Sequence, residues 1–255
     1  MTWFTSGVGH GDILDVLHRA TDAVAAVLVE HDDWGLSGQR DGQYVSDLVA
    51  DQAARTVLGD AGFAVFSEES GVTGESSWVA VLDPLDGSTN ASRGLPWYAT
   101  SIAVVRDLEV VAAVVHDHAS GVRWDALAGG GARVDDVALD VRAEMELADS
   151  VIAVNGLPPR NPGWWQFRTY GAAALDLCAV ADGRFDGFVD YDVDALGPWD
   201  YLGGMLICQE VGVEVVDAFG RPLVALDPLA RRTPVAGIGS GFERLCQARR
   251  EAAAV

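Results

Sequence analysis

Long apolar runs are missing from this chain of 255 residues. No stretch approaches the roughly 18 consecutive apolar residues that cross a bilayer as a helix. The longest, Val110-Val111-Ala112-Ala113-Val114-Val115, is strand-sized, so no membrane partner is expected. The opening residues Met1 to Ser6 hold no basic segment followed by an apolar core, and no signal peptide is expected there. Cysteine is scarce: Cys178, Cys208 and Cys246 are an odd, widely spaced set with no Cys-x-x-Cys pair and no His–Cys cluster. That excludes a disulfide scaffold and a zinc site, and points to reduced, buried thiols in a cytoplasm. Positive charge is also short, with 17 Lys and Arg against 38 Asp and Glu and a net charge of −21. A field of that sign repels nucleic acid and anionic membranes. It still admits a small anion where cations neutralise the site.

What is present is the composition of a folded globular protein, 49% hydrophobic and 22% charged. No internal repeat and no Pro- or Ser-rich linker divides it. Residues 11–30 read as an amphipathic helix, residues 31–43 as a polar surface loop, and residues 46–58 as a second helix ended by Gly59 and Gly62. Strands are expected at 63–66, 78–82, 100–105, 110–116 and 123–127. After about residue 146 strands and helices alternate: strand 151–154, helix 171–180, strand 185–189, helix 201–211, strands 213–216 and 234–239, and an alanine-rich helix from Phe242. Two α/β-type subregions, 1–145 and 146–255, are expected to pack as one compact unit without a linker. His116 and His118 flank Asp117 at a strand end, and their alternation reads as surface histidines rather than ligands.

The most informative segment is Asp83-Pro84-Leu85-Asp86-Gly87-Ser88-Thr89-Asn90, which follows the apolar run Trp78 to Leu82. Two carboxylates three residues apart stand where a buried strand ends. Pro84 fixes φ between them and keeps the segment out of a helix. Gly87 permits a tight turn, and Ser88, Thr89 and Asn90 offer caps for a new helix. Acidic oxygens facing a helix start make a place where a divalent cation and a phosphate can share a site. Other acids stand at element boundaries: Glu68 and Glu69 after a strand, and Asp200 in the first turn of a helix entered through Pro198. Gly203 and Gly204 in that helix cost roughly 1 kcal/mol each against alanine. They make sense where another backbone or a ligand comes close.

Three of these segments, Ser67-Glu68-Glu69-Ser70, the Asp83 octet and Pro198-Trp199-Asp200-Tyr201-Leu202-Gly203-Gly204, resemble the three signatures of the inositol monophosphatase family, in its order and at roughly its spacing. Gly171 to Cys178 and Gly183 to Phe188 look like the stretch between its second and third signatures. The resemblance covers most of the chain and implies an αβαβα layered sandwich. It implies a Mg²⁺-dependent, lithium-sensitive phosphomonoesterase acting on an inositol monophosphate-like polyol or sugar phosphate, with histidinol phosphate, a fructose bisphosphate or a 3′-phosphonucleotide as alternatives. A catalytically inactive scaffold of the same fold is the non-enzyme alternative. By the resemblance, Glu68, Asp83, the Leu85 carbonyl, Asp86 and Asp200 would hold two or three Mg²⁺ ions, and Ser88 would help Glu68 orient the attacking water. The phosphate would lie against Gly87, Ser88 and Thr89, and Asp190, like Asp200, would touch the substrate. An Asp on the second helix usually joins the catalytic set. Asp47 and Asp51 both qualify, and Asp51 is preferred because Asp47-Leu48-Val49-Ala50-Asp51-Gln52 resembles the family's version with two residues removed. A homodimer is also implied.

Several features depart from the family pattern. Arg40 is the only basic residue at 31–46, where the family often has lysine. Arg133-Val134-Asp135-Asp136 replaces an Asn-Gly turn, and about three extra residues separate Asp190 from Asp200. The metal core looks intact while the parts facing the substrate's organic half look altered.

Overall fold

A computed structural model describes residues 10–144 and 146–253. The segment Met1 to Ser6, read for a signal peptide, lies outside these residues. Helix α1 (His10–Val29) and helix α2 (Val45–Asp60) pack together on one face of the larger of two sheets. That sheet is built from β1 (Ala64–Ser67), β2 (Gly71–Thr73), β3 (Val79–Asp86), β4 (Ala99–Arg106), β5 (Glu109–Asp117), β6 (Arg123–Leu127), β7 (Gly131–Val134) and β8 (Val137–Ala138). Its order is β2-β1-β3-β4-β5-β6-β7-β8, antiparallel except for the β1–β3 pair. Between β3 and β4 lies the short helix α3 (Ser88–Ser92).

The second sheet uses β9 (Val151–Asn155), β10 (Gln166–Arg168), β11 (Gly187–Asp190), β12 (Glu214–Asp217) and β13 (Pro234–Gly237) in the order β10-β9-β11-β13-β12. Helices α4 (Ala173–Ala181) and α5 (Pro198–Glu210) fill the space between the sheets, and α6 (Gly239–Ala252) covers the far face of the second. The layers therefore run α1/α2, sheet, α4/α5, sheet, α6, which is the αβαβα sandwich.

Alternation along the central strands explains this layering. Ile102, Val104, Ala112 and Val114 face α1 and α2, while Ala99, Ala103, Ala113 and Val115 face α4 and α5. With both faces covered, β4 and β5 are apolar almost throughout. They join through Asp107 and Leu108, both at positive φ (51° and 62°), a two-residue turn whose twist suits the hairpin. Asp135 and Asp136, at φ 46° and 66°, do the same between β7 and β8, standing in for the Asn-Gly turn.

The glycines of α5 answer a packing need. A Cβ on Gly203 would stand 2.6 Å from Ser101 Oγ, and one on Gly204 would stand 2.5 Å from Leu177 Cβ. Their absence lets α5 press against β4 on one side and α4 on the other. The three cysteines are free and buried.

Two expectations change here. The strand through Val79 does not stop before Asp83 but runs to Asp86, because a bulge lets the acidic residues stay in the ladder. His116 is buried and His118 half-buried, so the pair are not surface histidines. Their face of β5 lies under α1, which the strand pattern alone does not reveal.

Candidate functional site

The bulge in β3 assembles the site. Asp83 pairs with Ser101 and Asp86 with Ala99, so three steps on β3 match two on β4. Pro84 and Leu85 absorb the difference. Pro84 has no amide to leave orphaned, and its carbonyl accepts the Thr100 hydroxyl at 2.8 Å. Both carboxylates turn inward: Asp83 is 1% and Asp86 8% exposed.

Backbone amides hold one oxygen of each acid. Leu85 N–H donates to Asp83 Oδ1 at 3.0 Å, Ala174 N–H at the start of α4 donates to Asp86 Oδ2 at 2.7 Å, and Gly197 N–H donates to Asp200 Oδ2 at 2.6 Å. Asp200 thus both caps the start of α5, by accepting the Gly197 amide, and belongs to the site. Glu68, just past the end of β1, completes the group: single oxygens of Glu68, Asp83 and Asp200 all lie within 4.8 Å of one another. With Asp86 next along the bulge, four of the five expected metal-site residues are acids from three chain segments that converge. The fifth, Leu85, lines the same cleft.

Such proximity is costly without a cation. Burial pushes the Asp83 carboxyl well up, and the neighbouring Glu68, Asp86 and Asp200 charges push it further. Asp200 is raised well up by burial and then by Glu68 and Asp86, and Glu68 by burial and then by Glu69, with smaller contributions from Asp86 and Asp47. Burial also raises Asp86, against the lowering effect of the Ala174 and Ala173 amides. Hard oxygen donors, backbone-oriented and short of positive charge, fit a hard divalent cation.

Of this set, Glu68 and Leu85 line a cleft with a volume of about 520 Å³, and the buried Asp83 and Asp86, with the half-buried Asp200, stand behind them. Its walls include Arg40, Gln43 and Asp47 from the loop and start of α2, Glu69, Ser88, Trp199 and Arg231. Arg40 donates both ways to the Glu69 carboxylate at 2.9 Å and to the Glu68 carbonyl at 3.1 Å, so the loop's only basic residue braces the Glu68 turn. Gln43 also donates to Glu69. Arg231 lies over the Trp199 ring at 5.2 Å and donates to the Pro228 and Ala230 carbonyls. Glu69, Gln43 and Arg231 were not singled out as site residues from the sequence. Only the double acid Glu68-Glu69 hinted at the first of them.

The choice between the two acids of α2 changes. Asp51, preferred from the sequence, accepts the Ser67 hydroxyl at 2.5 Å and the Ser70 hydroxyl at 3.1 Å, and pairs with Arg55 at 3.4 Å. It braces the Ser67–Ser70 turn and is not among the cleft-lining residues. Asp47 lines the cleft, accepts the Tyr44 amide with Oδ2 at 2.8 Å, and leaves Oδ1 buried without a partner. Burial raises its carboxyl to about 7, while the Tyr44 amide and the nearby Ser88 hydroxyl act to lower it. The reason is register: the helix starts at Val45, which puts Asp47 in the first turn beside Ser88 and Asp51 one turn deeper.

Gly87 adopts φ 83° at the start of α3, and Ser88 borders the cleft. Thr89 is exposed and accepts the Tyr44 hydroxyl at 3.2 Å. Asp190 sits apart from the cleft lining. Its Oδ1 accepts Asn155 Nδ2 and the Asp192 amide, both at 2.9 Å, while Oδ2 is buried without a partner, and burial raises the carboxyl to about 7.

A sequence model of the inositol monophosphatase family matches residues 37–254. An inositol-1-monophosphatase of Rhizobium meliloti is 38% identical over 174 residues, covering 62% of this chain and 64% of its own length. The chain thus spans somewhat less than two thirds of that relative. A fructose-1,6-bisphosphatase/inositol-1-monophosphatase of Archaeoglobus fulgidus is 33% identical, with 70% of this chain and 71% of the relative covered. Among solved structures, the extragenic suppressor protein suhB of Bartonella henselae superposes with a TM-score of 0.80 at 30% identity, over 94% of this chain and 98% of its own.

Proposed function

Because the chain belongs to the inositol monophosphatase family, we propose that it is a Mg²⁺-dependent phosphomonoesterase of small polyol or sugar-type phosphates, an inositol monophosphate being the first candidate. The observation that carries this reading is the convergence of Glu68, Asp83 and Asp200 oxygens within 4.8 Å of one another, with Glu68 lining an open cleft.

In this reading Glu68, Asp83, the Leu85 carbonyl, Asp86 and Asp200 hold two or three Mg²⁺ ions. When bound, the ions strengthen water as an acid and offset charge on the transferring phosphoryl group. The chain's own residues do the rest. Asp47 holds the Ser88 hydroxyl hydrogen, which leaves the Ser88 oxygen to accept one hydrogen of the attacking water. Glu68 takes the other proton as the new P–O bond forms and the ester P–O bond breaks; the leaving alkoxide takes a proton from solvent water, and Glu68 then returns its own to solvent. Amides around Gly87 to Thr89 face the phosphate, and Asp190 serves the organic half. The four oriented carboxylates argue against an inactive scaffold. Three buried thiols suit a reducing cytoplasm, and the family resemblance favours a homodimer.

A sugar bisphosphate is the second reading. It is favoured by Arg231, a cation in the cleft wall whose hydrogen-bond acceptors among the described residues are backbone carbonyls. The test is phosphate release from a panel of phosphomonoesters with and without Mg²⁺, compared by kcat/KM. The proposal expects release that needs Mg²⁺ and is fastest on a polyol or sugar phosphate. Release from none of them, or release indifferent to Mg²⁺, would contradict it.

A further inference from the structure

The carbonyl of Pro84 stands in the middle of the acidic bulge, between Asp83 and the Leu85 carbonyl. In an ordinary ladder it would accept a backbone amide from β4. The register shift removes that partner, and the Thr100 hydroxyl replaces it at 2.8 Å. Thr100 is fully buried, and on its other side the same oxygen lies 2.7 Å from His118 Nε2. A hydrogen-bonded line thus runs from the end of β5, across β4, to the bulge of β3.

Counting protons settles the direction of this line. A threonine hydroxyl has one hydrogen, and here it is donated to Pro84. The contact with His118 can only be made by a hydrogen on the ring, so His118 carries its proton on Nε2 and donates to Thr100. Nδ1 is then bare, and it is buried with no partner. A second ring proton would therefore have no acceptor. It would also meet His116, whose ring centroid is 4.7 Å away, and the Arg123 guanidinium that touches His116 Nδ1 at 3.3 Å. Burial, followed by His116 and Arg123, holds the His118 pKa down at about 3. The ring itself is fixed: its backbone amide donates to the Tyr98 carbonyl at 3.1 Å, and it stacks on the Tyr98 ring.

We propose that His118 and Thr100 are positioning residues for the metal-binding bulge: the His118 Nε2–H aims the Thr100 hydroxyl at the Pro84 carbonyl, and this bond sets the spacing of Asp83, the Leu85 carbonyl and Asp86. The inference rests on the metal-dependent reading proposed above, and neither residue touches the ion or the substrate. Nothing in the motif itself specifies the device, because it comes from two strands away.

Full-length Thr100→Val keeps the shape and apolar packing of the side chain but removes the hydroxyl. It leaves a buried carbonyl unpaired at the bulge, and drawing the relaxed ligands back into place on binding should lower Mg²⁺ affinity by up to roughly 5- to 100-fold in titration calorimetry. Thr100→Ser, which retains the hydroxyl, should restore wild-type affinity. His118→Gln can still donate to Thr100 and should bind Mg²⁺ more tightly than His118→Leu. Independently of metal, ¹⁵N spectra of the wild-type protein should show His118 as the Nε2–H tautomer, unchanged from pH 5 to pH 8. Folded Thr100→Val with wild-type Mg²⁺ affinity would overturn the proposal, and so would an Nδ1–H tautomer or a ring that titrates in that range. Should Thr100→Val fail to fold, equal Mg²⁺ affinity in the two His118 variants would overturn it. A wild-type protein that takes up no ion would instead overturn the metal-dependent reading and this inference with it.

Discussion

Replacing Asp47 with Asn should make the metal-free protein more stable while making it a worse enzyme. Burial raises the Asp47 carboxyl from an ordinary 3.8 to about 7. The folded state therefore holds that proton more tightly than the unfolded chain. The stability this brings is complete below pH 3.8 and is lost as the pH climbs through about 7. At 1.36 kcal/mol per pH unit, ionising Asp47 costs the native state up to about 4 kcal/mol. Asparagine is nearly isosteric, can still accept the Tyr44 amide, and never ionises. At pH 8 the variant should gain as much as that amount, or roughly 8–16 °C in Tm for a chain of this size. Near pH 4 the gain should vanish. Comparing variant and wild type at each pH cancels the buried histidines, which titrate in both. Scanning calorimetry after chelator treatment at the two pH values reads the difference directly. Asp51→Asn is the control: it weakens bonds from Ser67 and Ser70 and the pairing with Arg55, and should lower Tm by the equivalent of about 1–3 kcal/mol. A Tm for Asp47→Asn at pH 8 no higher than wild type, or an equal gain at pH 4, would refute the reasoning.

Three further outcomes follow from the site. Glu68→Gln keeps the size of the side chain but cannot take a proton, so kcat for phosphate release should fall by roughly 10²- to 10⁴-fold with a much smaller change in KM; a comparable change in both would count against Glu68 as the base. Asp86→Asn should abolish Mg²⁺-dependent release and leave the circular dichroism spectrum as in wild type, and retained turnover would remove Asp86 from the metal site. Gly87→Ala places a Cβ 2.7 Å from the Trp97 carbonyl oxygen at φ 83°, and backbone strain alone costs roughly 1–2 kcal/mol. Its melting temperature should drop, and an unchanged value would show that the turn can relax.

Much of the site is readable because its chemistry is local. The Asp83 to Asn90 octet holds its own strand, bulge, turn and helix start, so it announces two inward carboxylates without help from elsewhere. Asp200 is similarly local, since Pro198 and the first-turn acid define their own helix entry. Asp47 and Asp51 are harder. Both lie on one face of α2, and what separates them is that Ser67 and Ser70, from another segment, consume Asp51. His116 and His118 mislead for the same reason: period-two alternation cannot say that α1 covers their face. The shortest strands, β2, β8 and β10, fall below the length at which alternation carries a signal. The extra residues after Asp190 are explained only by distant partners. Arg249 donates to the Asp190 and Asp192 carbonyls, and Arg221 bonds Asp194 and Asp217.

The central claim is that acids from separated segments share divalent cations in one cleft. Crystals grown with Mn²⁺ in place of Mg²⁺ test it most directly, through anomalous scattering. The account predicts peaks within coordinating distance of Glu68, Asp83, Asp86 and Asp200. A map from well-ordered crystals without peaks there, or with Mn²⁺ bound only elsewhere, would contradict it.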